Sequence, residues 1–150
     1  MNGSVRLAVR AVIVEQGRLL LVNAWPGAQS DLWCAPGGGV EPGADLPANL
    51  RREVLEETGL QIAVGSPCLV KEFHDPSAGF HQVDIYFRAR LAGAQAAIPD
   101  WRDPAGVVDR RVWADAEAMR GMRVKPDILG QVAFGGADGL TYDPLERLIR

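Results

Sequence analysis

Residues 36–60 read PGGGVEPGADLPANLRREVLEETGL, and the fold follows from how that stretch divides. Pro36 and the glycines at 37, 38 and 39 stop a short preceding strand and predict a glycine-rich turn. Asp45 is a good helix N-cap, and Pro47 suits the first helical turn. Leu46, Leu50 and Val54 recur at i, i+4 and i+8, which gives the helix one apolar stripe. Gly59 stands where a glycine ends a helix. Glu53, Glu56 and Glu57 lie at i, i+3 and i+4, so they share one helix face. Like charges at that spacing repel by roughly a few tenths of a kcal/mol per pair. Three such carboxylates are poor helix stabilisers. They are good ligands for a hard divalent cation, because Mg²⁺ takes oxygen donors and bridges to phosphate oxygens.

Gly38, Arg52, Glu53, Val54, Glu56, Glu57, Gly59 and Leu60 stand at the spacing of a known signature. The segment resembles that of the Nudix hydrolase family: a glycine, five residues, a glutamate, seven residues, then Arg-Glu-apolar-x-Glu-Glu-x-Gly-apolar. One position departs, since the first glutamate falls at 44 and this chain has Ala44. The resemblance implies an α/β (α+β) fold, an α/β/α sandwich with a mixed sheet in which the signature forms a loop–helix–loop. It implies cleavage of the pyrophosphate linkage in a nucleoside diphosphate joined to another group, a small-molecule nucleotide substrate. It makes Glu53, Glu56 and Glu57 the ligands of Mg²⁺, or of Mn²⁺ in its place, with a backbone carbonyl of Gly37 or Gly38 joining them. The catalytic set is then Glu53, Glu56, Glu57 and Arg52, with Arg52 orienting a glutamate through an ion pair. Glu53 is the first candidate for general base, and Asp103 and Asp109 are the distant alternatives. In the family the glutamate missing at 44 helps to hold Arg52, and Asp45 is the neighbouring acid able to replace it. The same departure leaves a second reading open, a Nudix fold that binds a nucleotide or a protein without turning it over.

Outside this segment the pattern is mostly β. Val5 to Val14 and Arg18 to Val22 read as a hairpin about Glu15-Gln16-Gly17. Leu32 to Ala35 is a short strand, and Gln61 to Val64 and Cys68 to Phe73 are two more. Val83 to Leu91 alternates apolar and polar residues most clearly. The loop His74 to His81 is expected at the rim of the site. A second loop, Gly93 to Gly106, carries Asp100, Trp101 and Asp103. Val107 to Trp113 reads as the last strand, and Asp115 as the cap of a short helix, Ala116 to Arg120. Pro126 to Phe134 and Asp143 to Ile149 read as helices, the second with Asp143 as cap and Pro144 at its first position. Trp33, Phe73, Tyr86 and Phe87 are expected in the core, with Phe73 and Tyr86 the candidates for stacking on a base. No residue is singled out by sequence as substrate-binding.

Composition sets the outer limits. A length of 150 residues suits one domain spanning 1–150. A formal net charge of −3 lacks the footprint of a nucleic-acid binder, while a metal and a few arginines suffice for a small anion. Cys34 and Cys68 have no metal-ligand spacing and are expected as reduced thiols. The apolar stretch from Leu7 to Val14 alternates with Arg6 and Arg10, as a strand does and a signal peptide does not. No run approaches the ~20 apolar residues that span a membrane. A cytoplasmic protein is expected, with no membrane partner; the family resemblance allows a homodimer.

Overall fold

The computed structural model describes residues 3–93 and 101–150. Strands β1 (Arg6–Glu15) and β2 (Arg18–Asn23) form the expected hairpin. β3 (Leu32–Cys34) pairs with β2. The glycines at 37–39 are not a simple turn. They form a short extended strand, β4 (Gly37–Gly39), antiparallel to Ala8–Arg10 of β1. Glycine is required there because a Cβ on Gly37 would lie 2.0 Å from the Val9 carbonyl oxygen.

Helix α1 (Leu46–Thr58) starts and stops where the local chemistry demands. The Asp45 carboxylate accepts the Ala48 N–H at 2.7 Å, and Gly59 closes the helix at φ 74° with its N–H on the Leu55 carbonyl. Such a cap contributes about 1 kcal/mol. Leu50 and Val54 are fully buried, each stabilising by roughly 1.5–3 kcal/mol.

The two sequence-level strands at 61–73 are one strand, β5 (Ile62–Asp75), with irregular register about Pro67. β5 pairs antiparallel with β6 (Phe80–Leu91), so the expected His74–His81 loop is a hairpin end in which His74 and His81 are cross-strand partners. The strand expected from Val107 is shorter, β7 (Arg111–Ala114). α2 (Ala116–Arg120) is capped by Asp115, as read. β8 (Arg123–Val124) follows, and α3 (Leu129–Phe134) begins three residues later than its pattern suggested. Asp100 lies outside the described residues.

Sheet order among the described residues is β8-β3-β2-β1-β6-β5-β9, with β4 on β1 and β7 on β2; β9 spans Thr141–Arg147. The β1–β6, β3–β8 and β5–β9 pairs are parallel and the rest antiparallel, so the sheet is mixed. Side chains alternate across β1. Val9, Ala11 and Ile13 pack with Leu50 and Val54 of α1. Val12 packs on the other face with Leu129 and Val132 of α3. Helices thus cover both faces, the α/β/α sandwich implied by the signature. No helix among the described residues is long and apolar enough to cross a membrane, and both cysteines are free thiols.

The stretch Asp143 to Ile149 is not a helix. Its residues through Arg147 belong to β9, parallel to β5. The physical reason is Lys71, only 3 % exposed. Its ammonium group is met by Asp143 at 2.9 Å, Glu146 at 2.6 Å and the Pro144 carbonyl at 2.7 Å, all from β9. Tyr142 adds a hydrogen bond to Glu72 at 2.6 Å. A buried cation without partners is far costlier than a forgone short helix.

Burial raises the Glu146 carboxyl, but hydrogen bonds from Lys71 and Lys125 outweigh it and leave the group below its ordinary range. A depressed folded-state pKa supplies stability above the unfolded value, and that stability is lost as pH falls through the folded one. Glu146→Gln should therefore lower Tm at pH 7. The gap from wild type should close as pH falls below about 4, the ordinary carboxylate range. A gap independent of pH in thermal melts would show that the charge on Glu146 is not what holds β9.

Candidate active site

The α1 cap and the burial of Leu50 and Val54 fix the helix's rotation, and its acidic flank turns toward β4. There Gly37, Gly38, Glu53, Glu56 and Glu57 line one cleft of about 410 Å³, with Arg6, Arg10, Arg52 and Asp103 around it. Glu57 is the deepest of the three glutamates. Its carboxylate accepts the Gly37 N–H at 2.9 Å. Burial pushes the Glu57 carboxyl up to about 7, against the opposing pull of Arg10 and the Gly37 N–H, while Glu53 and Asp103 push further upward. At Gly38 a Cβ would meet a Glu53 carboxylate oxygen at 2.4 Å, the far end of a flexible side chain. The glycine therefore allows a carboxylate to lie directly against the main chain.

Arg52 stands among the acids. It contacts Glu53 at 3.0 Å and Glu56 at 3.5 Å through Nη1, and Glu41 at 3.8 Å through Nε. Asp45 does not serve it, being committed to the helix cap. The Asn49 side-chain carbonyl does, at 2.9 Å from Nη2.

The two distant acids have other work. Asp103 accepts three backbone N–H groups, from Ala105, Val107 and Val108, and so shapes the loop at the cleft wall. Asp109 pairs with Arg110 and takes the Gly27 N–H, away from the carboxylate cleft. Trp101 donates to the Glu56 carbonyl at 2.8 Å and covers Gly59, so it packs on the end of α1.

Sequence reading missed Arg6, Arg10, Asn23 and Asn49. Arg6 and Arg10 were visible as an i, i+4 pair on one face of an apolar strand, and their target, Asp84 with Gln82 on β6, is over 70 residues away. Arg10 pairs with Asp84 at 3.3 Å and donates to the Ala35 carbonyl at 3.1 Å. Arg6 bonds the Gln82 side-chain carbonyl, and Gln82 bonds Asp84 at 2.6 Å. Buried Asn23 holds residues 107–110 by hydrogen bonds to Val107, Asp109 and Arg110.

The donor set suits a hard cation: three carboxylates of one helix face opposite a glycine strand that admits no side chain between them. As the side chains stand, no three His, Cys, Asp or Glu groups among the described residues close on one point. Arg52 supplies the counter-charge for Glu53 and Glu56, and Arg10 for Glu57. The Arg52 pairs are partly solvated, a kind of ion pair worth roughly 0–1 kcal/mol.

A family model described as "NUDIX domain" matches residues 5–129. The chain is 36% identical over 80 residues to "Nucleoside diphosphate-linked moiety X motif 6" of Xenopus laevis, covering 53% of this chain and 33% of that protein. It is 28% identical over 103 residues to "Diphosphoinositol polyphosphate phosphohydrolase 2" of Rattus norvegicus, covering 69% of this chain and 52% of that one. The chain thus spans about a third to a half of the length of these curated relatives. A solved structure described as a NUDIX hydrolase from Nitrosomonas europaea superposes with a TM-score of 0.71 at 24% identity, covering 86% of each chain. That likeness is one of fold.

The two glycines separate fold from site. Gly37→Ala drives a Cβ into backbone and should destabilise the protein by about 1–3 kcal/mol. Gly38→Ala meets only the movable end of Glu53, so Tm should change little while affinity for Mg²⁺, read by titration calorimetry, drops about tenfold or more. Unchanged Mg²⁺ affinity in Gly38→Ala would exclude Glu53 from the cation site.

Proposed function

This chain belongs to the Nudix family, and on that premise we propose that it is a divalent-cation-dependent hydrolase cleaving the pyrophosphate linkage of a nucleoside diphosphate derivative. The observation that carries the proposal is the opposition of Glu53, Glu56 and Glu57 to the Gly37–Gly39 strand across one cleft. In it Glu53, Glu56 and Glu57 hold Mg²⁺ or Mn²⁺, with a carbonyl of Gly37 or Gly38 beside them. When bound, the cation sets positive charge against the diphosphate and acidifies water. The chain's own residues do the rest. Arg52 keeps Glu53 aimed through the contact at 3.0 Å, so Glu53 is placed to accept a proton from attacking water. Arg6 and Arg10, at the opposite wall, face the diphosphate oxygens. Asp103 already serves three backbone N–H groups, which favours Glu53 over it as base.

The substrate's other end is read from the adjoining groove of about 460 Å³, which shares Arg6, Arg10, Ala24 and Cys34 with the cleft. Trp25, Phe73, Phe80 and Tyr86 supply aromatic walls. Most of its cations are already engaged: Arg10 with Asp84, Lys125 with Glu146 and Asp127, and Arg150 over the Trp25 ring at 4.0 Å, while Arg6 meets the neutral Gln82. Such a groove suits a planar base and gives little to a densely phosphorylated ring, which needs many free cations. A nucleoside derivative is therefore favoured over a diphosphoinositol polyphosphate. The expected roles of Phe73 as both core and stacking residue are compatible here, since it is 9% exposed and borders the groove.

Phosphate or nucleotide release from a panel of nucleoside triphosphates, dinucleoside polyphosphates, sugar nucleotides and ADP-ribose tests the reading. Turnover should require Mg²⁺ or Mn²⁺ and stop with excess chelator. Glu56→Gln and Glu57→Gln should each reduce it by about 100-fold or more without lowering Tm, as like-charge repulsion is relieved. Nucleotide binding without release under these conditions would identify a binding module instead. Phe80→Ala should raise KM for nucleoside substrates about 5–30-fold, the loss of one stacked ring, with kcat little changed. A diphosphoinositol polyphosphate turned over faster than every nucleotide would overturn the substrate class.

A further inference from the structure

Asn49 is 1% exposed on the signature helix, one turn before Arg52. A buried polar side chain in a helix needs a reason, and its hydrogen bonds supply one. Its side-chain oxygen accepts the Glu41 N–H and Arg52 Nη2, both at 2.9 Å. Its amide group donates toward the carbonyls of Asp45 at 3.0 Å, Ala44 at 3.1 Å and Glu41 at 3.3 Å. The network fixes the amide orientation, because the reverse would set NH₂ against two donors. Asn49 thus joins the turn at 41–45 to the guanidinium that touches Glu53 and Glu56.

The other candidates for holding Arg52 are weaker. Glu41 sits 3.8 Å away with a side chain 71% exposed, a weak solvated contact, and the Gly39 carbonyl is at the long distance of 3.5 Å from Nη2. Asp45 is engaged at the cap. Ala44 has no polar side chain. Buried and at 2.9 Å, Asn49 dominates.

We propose that Asn49 is the positioning residue of this site: its side-chain carbonyl orients the Arg52 guanidinium toward Glu53 and Glu56, taking the place of the acid that Ala44 lacks. The proposal rests on the hydrolase reading for its kinetic consequences and on geometry alone for its structural one. A neutral acceptor holds Arg52 without neutralising it, so the full guanidinium charge remains available to the two glutamates.

The test is a double-mutant cycle on the whole chain, with Asn49→Ala, Arg52→Ala and the pair. Three quantities are read: Tm, kcat and KM with Mg²⁺ on the best substrate of the panel, and the Arg52 Nε–H resonance in metal-free protein. Asn49→Ala should lower kcat about 10–100-fold with KM nearly unchanged, and should shift and broaden the Arg52 resonance. In the Arg52→Ala background the same substitution should change kcat by less than about twofold, since the partner is gone. Equal kcat losses in both backgrounds, or an Arg52 resonance unmoved by Asn49→Ala, would make Asn49 a staple of the turn and overturn the proposal. Should Asn49→Ala fold poorly, Asn49→Asp carries the test. It keeps the acceptor and loses the donors to the turn, so Tm falls while kcat stays within about threefold; a kcat loss as large as that of Arg52→Ala would overturn the proposal. If wild type turns over nothing, the hydrolase reading fails by itself, and the resonance still decides whether Asn49 holds Arg52.

Discussion

The hydrogen bond from the Gly37 N–H to Glu57, at 2.9 Å, is the constraint on which the rest of the structure depends. It requires the helix to approach a strand closely enough that a carboxylate touches main chain. Gly38 leaves room for the Glu53 carboxylate in that contact, and Gly37 lets the strand itself lie on β1, where a Cβ would meet the Val9 carbonyl. The apolar face of α1 supplies the driving force, with Leu50 and Val54 buried against Val9, Ala11 and Ile13. The acidic face is then delivered to the sheet edge as a consequence of burying the other one.

Concentrating carboxylates in a cleft has a cost, and the chain meets it with arginines from two directions. Arg10 approaches from β1, held by Asp84 of β6 and the Ala35 carbonyl. Arg52 comes from the helix itself, held by Asn49. Arg6, Gln82, Asp84 and Arg10 form a continuous polar row across the β1–β6 pair. That row lies between the carboxylate cleft and the aromatic groove. A molecule with a charged diphosphate and a flat apolar end matches that division of charge, which ties the substrate proposal to the sheet's register.

Local signatures failed where a long-range partner outweighed them. Asp143-Pro144 has the chemistry of a helix start, and the same residues instead place carboxylate and carbonyl oxygens on buried Lys71. The glycines at 37–39 have the chemistry of a turn, and β1 recruits them as a strand. In each case the residue type was read correctly and its partner could not be, because nothing within about one turn or one strand of it names that partner.

What the sequence determined by itself is the set of features that depend on neighbours in the chain. These are the capped helix, the β1–β2 hairpin, the alternation of β6, and three glutamates on one face at the offset of a glycine run. Periodicity and capping act over a few residues, so they hold wherever no long-range partner outweighs them as Lys71 does at Asp143-Pro144. What only the tertiary structure decided is which polar groups meet across the fold. Asp84 reaches Arg10 through the parallel pairing of β1 with β6. The turn at 41–45 brings Asn49 into use as the support of Arg52. β9 closes on Lys71 from over 70 residues away. The physical reason is that a buried charge or amide takes whatever partner the register brings within hydrogen-bonding distance, and register is set by the packing of whole faces rather than by any one residue.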